Sequence, residues 1–311
     1  MATAKAWIAA TEAQMERTEI TNEHFDVGLL IRRYHDEIGA IKSWDRPYRA
    51  GLLRLAKDYT GTTLRDLTAA RIVDWGKDRG VSPATVAMEL QCLSATLHTA
   101  ETLWRVNVNW PEFRRGRAML KHTGLHGRAK KRDRRPEPGE LDRIKAHLRS
   151  TMPMADLIDF AVASCMRVAE ITRIRWDDID EERRTVIIPQ RKHPSHKLTN
   201  DQTVPLLAEA WEIIQRQPRA DDRIFPYKSH SVATMFQRAR NAAGVKDLRF
   251  HDMRHHGISL LFERNLDIPR VAMISGHADW AQLKRYTNLK PSDVHRRIAE
   301  LGNEKARLVG D

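Results

Sequence analysis

Five side chains in the C-terminal half of this 311-residue chain are of types that could handle a phosphate: Arg167, His251, Arg254, His277 and Tyr286. A lysine, Lys192 or Lys197, lies between the first two. Guanidinium groups form planar, charge-assisted hydrogen bonds to oxyanions, so Arg167 and Arg254 could clamp both non-bridging oxygens of a phosphodiester. Such an ester resists attack because its own oxygens repel a nucleophile. The same two cations would stabilise the charge that grows as attack proceeds. Imidazoles titrate near neutrality and can move protons. A free phenol ionises only at a pH of about 10, so any use of Tyr286 as a nucleophile would need a base. Taken singly these signals are weak: with 14 histidines and 38 arginines, a His-x-x-Arg spacing arises by chance about once or twice.

Order and setting change the weighing. Arg167 stands in Ser164-Cys-Met-Arg167-Val-Ala-Glu170, and the lysines stand in Arg191-Lys-His-Pro-Ser-His-Lys197. His251-Asp-Met-Arg254 follows Leu248-Arg-Phe250, and Gly276-His277 precedes Tyr286 by nine residues from the histidine. The series Arg, Lys, His-x-x-Arg, Gly-His, Tyr resembles the tyrosine recombinase (phage integrase) family over roughly residues 138–311. The helical stretch 22–123 resembles that family's core-binding domain on architectural grounds. Cys165 departs from the pattern, standing where many relatives carry glycine, which would alter the local turn.

The resemblance implies a set of roles. Tyr286 would be the nucleophile, giving a 3′-phosphotyrosyl enzyme and a free 5′-hydroxyl. Arg167 and Arg254 would hold the phosphate, His277 would hydrogen-bond a non-bridging oxygen, and His251 would serve as base and, by reversal, as acid. A hairpin lysine would protonate the leaving 5′ oxygen. Lys192, directly after a strand, is the favoured choice, with Lys197 the alternative. No metal or nucleotide cofactor is needed, since the covalent intermediate conserves the bond energy for resealing. The implied partners are double-stranded DNA at a specific recombination site, three further copies of the chain in a tetramer exchanging strands through a Holliday junction, and a directionality or host DNA-bending factor. A non-catalytic DNA-binding regulator and a type IB topoisomerase-like relaxing enzyme are alternatives. The intact set of Arg167, Arg254, His277 and Tyr286 argues against the first.

Plainer readings exist for individual residues. Arg167 and Glu170 are spaced i, i+3 and could be a helix ion pair, with Glu170 holding an arginine. His251 and His255 are spaced i, i+4, but a zinc site of the His-Glu-x-x-His kind lacks its glutamate, Asp252 standing there. His255 and His256 read as packing residues or supports beside the site, Trp280 as an anchor for the tyrosine helix, and Trp176 and Trp211 as core.

These residues need elements to position them. A short helix is predicted over Ala4–Glu19, in an extension spanning 1–21. Residues 22–123 read as a bundle of about four helices, with Thr68 capping Ala69–Gly80 and Ser82-Pro83 opening a long helix through Leu97. The segment Thr123–Gly139, whose residues 124–137 form the linker, carries Gly124, Gly127, Pro136 and Pro138 around a basic run, six cations in eight residues. It reads as exposed, and its Arg128, Lys130, Lys131, Arg132, Arg134 and Arg135, with Lys197 in the hairpin, would contact DNA phosphates. Residues 138–311 alternate helices with two strands, Thr185–Pro189 and Thr203–Leu206, joined by a long hairpin loop. The helices are predicted over Pro138–His147, Asp156–Cys165, Glu170–Trp176, Leu207–Gln217, Ser231–Ala243, Met253–Asn265, Pro269–Gly276, Ala281–Tyr286 and Pro291–Leu308. The last, with Val294, Ile298 and Leu301 on one face, would pack against a neighbouring protomer. The predicted class is mainly α with a small antiparallel sheet, a helical core-binding domain preceding a catalytic domain.

Composition supports this picture. Fifty-three basic against 41 acidic residues give a net charge of +12 and a pI near 9.9, which favours a polyanionic partner. Two cysteines make no disulfide framework, and no apolar run is long enough to span a membrane. The expected location is the bacterial cytoplasm, at the nucleoid.

Overall fold

In the computed structural model, residues 25–42, 44, 46–129, 132–191, 200–287 and 298–299 are described. Lys130, Lys131, Lys192, Lys197, the helix expected over Ala4–Glu19 and nearly all of Pro291–Leu308 lie outside them. The chain divides into two units, 1–131 and 132–311.

The first unit is helical. Asp26 caps helix α1 (Val27–Arg33), its carboxylate accepting from the Leu29 N–H at 2.8 Å and from the Gly61 N–H at 2.5 Å. A π-helical turn at Tyr34–Ile38 carries the chain into α2 (Gly39–Ile41), and α3 follows at Arg46–Asp58. Helix α4 (Ala69–Asp78) is capped by Thr68, and α5 (Pro83–Trp104) by Ser82 with proline in its first turn, as the sequence predicts. Helix α6 (Trp110–His122), capped by Asn109, makes the bundle larger than the four helices expected. Glycines let α4 and α6 close on each other: a Cβ at Gly76 would strike Leu120, and one at Gly116 would strike Ile72. Ile31, Leu52, Leu55, Tyr59, Leu90, Leu93 and Leu97 fill the core without exposure above 1 %.

The second unit opens with α7 (Glu140–Ala146), α8 (Met154–Ser164) and the single turn α9 (Val168–Ile171). Beyond α9 the helix predicted through Trp176 stops: the chain extends at Arg175 and takes only a 3-10 turn at Trp176–Asp178. A three-stranded antiparallel sheet follows, in the order β1 (Ile179–Asp180), β2 (Thr185–Ile188), β3 (Gln202–Pro205), with Val186 opposite Ile179 and Val204. Four helices come next: α10 (Ala208–Gln215), α11 (Ser229–Ala242), α12 (Asp252–Glu263) and α13 (Ile268–Ser275). Helices α8 and α12 approach so closely that a Cβ at Gly257 would run into the Val162 carbonyl and the Cys165 thiol. That contact brings the start of α12 to the end of α8, where Arg167 begins the next turn. Trp176 and Trp211 are partly buried at the margin of the main core rather than inside it.

Candidate active site

The arginines hang from a buried carboxylate. Glu170 on α9 is 2 % exposed, and its Oε1 accepts from Arg167 Nη1 at 2.6 Å while Oε2 accepts from the Arg167 backbone N–H at 3.0 Å. The i, i+3 pair is therefore real, and it fixes Arg167 at the entrance to the helix. A third guanidinium, Arg191, lies behind, fully buried at 0 % exposure and 3.4 Å from Glu170 Oε2. It also donates to the Ser275 carbonyl at 2.8 Å and to Gln202 Oε1 at 3.3 Å. Burial raises the Glu170 carboxyl, but Arg191 and Arg167 outweigh it and hold the group below the ordinary carboxylate range. Arg191 fits only because Gly276, which ends α13 at φ 68°, has no Cβ to strike its guanidinium.

Arg254 points back from the first turn of α12. Its Nη1 donates to the Cys165 carbonyl at 2.5 Å, and its Nη2 faces His277 Nε2 at 3.3 Å. Cys165 presents that carbonyl from a left-handed conformation, φ 55°, which glycine adopts without strain and cysteine does not. Burial, reinforced by the nearby Arg167, pushes the Arg254 guanidinium down to about 10, which leaves it charged at neutral pH.

His277 is neutral and its tautomer follows from its partners. Ser275 Oγ spends its only proton on the Val271 carbonyl at 2.6 Å, so at 2.7 Å it must accept from His277 Nδ1–H. Nε2 is then bare and accepts from Arg254 Nη2. Burial, followed by Arg254 and Arg167, pushes this imidazole down to about 3.

Tyr286 is presented differently. The helix predicted over Ala281–Tyr286 is instead two 3-10 turns, Trp280–Gln282 and Lys284–Tyr286. Leu283, fully buried, anchors them, whereas Trp280 is 55 % exposed. The tighter three-residue turn swings Leu283 inward and leaves Trp280 outside, so the expected tryptophan anchor is corrected. The Tyr286 ring stacks on Phe262 at 6.3 Å between centroids and on His255 at 6.0 Å. Its hydroxyl makes a short hydrogen bond with His255 Nδ1. Burial raises the phenol above its ordinary value, opposed by Arg285 and Arg254. The guanidinium of Arg285 lies over the tyrosine ring at 5.1 Å and donates to Asp133 Oδ1 at 2.7 Å and to the Arg132 carbonyl.

The basic run is pinned at its C-terminal end. Arg132 spans Asp247, at 2.7 Å, and the buried Asp252, at 2.8 Å. Arg134 pairs with Glu140 at 2.7 Å, and Arg135 with Glu263 at 2.7 Å. The expectation of an exposed linker is therefore corrected for 132–135, whose guanidiniums are neutralised by acids up to 128 residues away; Arg128 is exposed.

Arg167, Arg254 and His277 thus form one network through Glu170, Arg191 and Ser275, while Tyr286 pairs separately with His255. His251 sits open to solvent at the start of α12, its ring edge-on to His255 at 5.1 Å. Sequence reasoning missed Arg191 and read His255 as packing or as a support beside the site. The signal for the first was the glycine before His277, and for the second the i, i+4 spacing from His251. Among the described residues, no group of three His, Cys, Asp or Glu is placed to hold a metal ion, and no helix is long and apolar enough to cross a membrane.

A small sheet among helices thus carries an arginine pair held by a buried carboxylate, with a tyrosine on a separate turn. Residues 137–293 match the model of the phage integrase family, and the chain belongs to that family. It is 28 % identical over 306 residues to a putative integrase/recombinase of Haemophilus influenzae, covering 91 % of this chain and 78 % of that protein. With the shufflon-specific DNA recombinase of Escherichia coli identity is 29 % over 73 % of this chain, which spans 56 % of that relative's length. In fold it is similar to lambda integrase, solved as a dimer bound to a COC′ core site, with a TM-score of 0.69, 17 % identity and coverage of 89 % of this chain and 81 % of that one. It is also similar to a lambda integrase tetramer bound to a Holliday junction, with a TM-score of 0.65, 19 % identity and coverage of 86 % and 80 %.

Proposed function

We propose that this chain is a site-specific recombinase that cuts and rejoins duplex DNA through a 3′-phosphotyrosyl link on Tyr286. One observation carries the reading. Arg167 and Arg191 share a single buried carboxylate, Glu170, and Arg254 lies within the same field beside His277, so three guanidiniums gather around one negative charge and leave a net positive site suited to a phosphodiester.

The tyrosine oxygen attacks phosphorus and its proton passes to an imidazole of the His251–His255 pair. The bond to the 5′ oxygen breaks, and that oxygen takes a proton from a lysine of the β2–β3 loop, Lys192 in preference to Lys197. Arg167 and Arg254 carry the charge that accumulates on the non-bridging oxygens. His277, with Nε2 directed at Arg254, orients that guanidinium; donation to a phosphate oxygen would require the protonated ring or the other tautomer. Resealing runs the same steps backwards. Arg128, with Lys130 and Lys131, would contact DNA phosphates, while Arg132, Arg134 and Arg135 would have to exchange carboxylates for them. Assembly as a tetramer on a Holliday junction is proposed from the likeness in fold to the lambda integrase assembly.

The test is to express the wild type and Tyr286→Phe in cells carrying candidate sites and isolate protein–DNA adducts under denaturing conditions. The reading expects adducts from the wild type alone, clustered at one or a few sequences. Dispersed adducts would favour relaxation of DNA without partner exchange. Absence of adducts even with a phosphorothiolate trap would make the chain a DNA-binding regulator.

A further inference from the structure

We propose that His255, the residue directly after the second motif arginine, is the catalytic base that takes the phenolic proton of Tyr286. The inference rests on Tyr286 being the nucleophile and goes beyond it by assigning the proton to one atom, Nδ1 of His255.

Three observations converge on this assignment. The Tyr286 hydroxyl is hydrogen-bonded to His255 Nδ1, the contact a base must make before attack. The two rings are stacked, 6.0 Å between centroids and 29° between planes, and Phe262 covers the tyrosine at 14°, so the phenol is held in one orientation. Backbone geometry fixes the imidazole: His255 is in the first turns of α12, one residue beyond Arg254, whose guanidinium is tied to the Cys165 carbonyl.

The protonation states agree with this. Burial, then His251 and Arg285, push the His255 imidazole down to about 4, with Asp252 opposing and Arg254 adding to the depression. At neutral pH it is unprotonated and free to accept. The phenol is held above its ordinary value. A proton therefore does not move to His255 before attack. It moves as the oxygen–phosphorus bond forms, when the tyrosine oxygen loses its basicity. In the step, the phenol O–H bond breaks and an Nδ1–H bond forms while the oxygen's electron pair makes the bond to phosphorus. The phosphorus–O5′ bond breaks, with its electrons and the loop lysine's proton going to the 5′ oxygen. In resealing the imidazolium returns its proton to the departing tyrosine oxygen.

The experiment compares two suicide substrates, one with the ordinary 5′ oxygen and one with a bridging 5′ sulfur, which leaves without needing a proton. Wild type, His255→Asn, His255→Ala, Lys192→Ala and Tyr286→Phe are assayed for covalent adduct, after DNA binding and thermal unfolding show which variants are folded. The proposal expects His255→Asn to slow adduct formation about 100-fold on both substrates. Lys192→Ala should be slow on the oxygen substrate and recover on the sulfur one. Added imidazole should restore His255→Ala in part, a response that a packing role would not give.

Recovery of His255→Asn on the sulfur substrate would overturn the assignment, because it would make His255 serve the leaving group. Wild-type rates on both substrates would overturn it too, as would a loss that imidazole leaves untouched in a folded His255→Ala. An adduct from Tyr286→Phe would instead refute the nucleophile.

Discussion

Arg254 hangs from a buried carbonyl on a helix of 12 residues, whereas Tyr286 sits at the end of a 3-10 turn of three. The two halves of the site are built to different rules. On the phosphate side, Glu170 and Arg191 are almost wholly buried, Glu170 holds Arg167, and Arg254 is tied to the buried Cys165 carbonyl. On the nucleophile side, the turn is anchored by one buried leucine, Leu283, and steadied by Arg285 reaching Asp133, which is 75 % exposed. A rigid clamp costs nothing in function, since the phosphate enters and leaves it unchanged in charge. A nucleophile that becomes covalently attached to DNA and is then released benefits from a support that can be exchanged.

The difference predicts where damage is severe. Removing one member of a buried ion pair strands the other, at a cost of roughly 3–5 kcal/mol. Arg191→Met should therefore lower stability by about 3 kcal/mol, since Arg167 still serves Glu170, and should abolish cleavage as well. Gly276→Ala should act in the same direction, because its Cβ strikes the Arg191 guanidinium from a left-handed backbone. Urea unfolding measures both. A Gly276→Ala protein as stable as the wild type would mean that the Arg191 guanidinium has room elsewhere and that the clamp is not tight.

The nucleophile side should respond in the opposite pattern. An exposed ion pair contributes roughly 0–1 kcal/mol, so Asp133→Asn should leave stability nearly unchanged. Misplacing the tyrosine should still slow adduct formation about 10-fold with little change in DNA affinity. Reversing the pair, Asp133→Arg with Arg285→Asp, should recover part of that rate. Equal losses in stability and cleavage in Asp133→Asn would erase the contrast between the halves.

What could be read in the chain follows the same division. Arg167, Arg254, His277 and Tyr286 were legible because they recur at fixed spacings in local motifs, and Thr68, Ser82 and the two longer strands because caps and alternation are local signals. Arg191 was not legible: beside Lys192 it looks like one more solvated cation, and only the fold brings Glu170 and Gly276 to it. The acids that bind Arg132 and Arg135 stand 115 or more residues away, so the run looked free. The strand β1 has two residues, too few for a pattern to show. His255 was visible as an i, i+4 partner of His251 but read as packing or as a support beside the site, and only the placed tyrosine shows what it faces.

The smallest expected effect concerns acid, and it sharpens the comparison because both halves contain a depressed imidazole. Folded His255 and His277 stay neutral until about 4 and about 3, while in the unfolded chain each titrates near 6.5. Between those values the unfolded state binds more protons, so stability falls as pH falls, from about 6.5 downward. Each fully shifted group would steepen the slope by about 1.4 kcal/mol per pH unit, and by less here because both rings are only half-buried. Glu170 has the same sign, its depressed carboxyl contributing stability that is lost only at still lower pH. Denaturation at pH 7 and pH 5 should show the fall in the wild type and a smaller one in His277→Asn. An unchanged slope in that variant would place the burden on His255 and the nucleophile half.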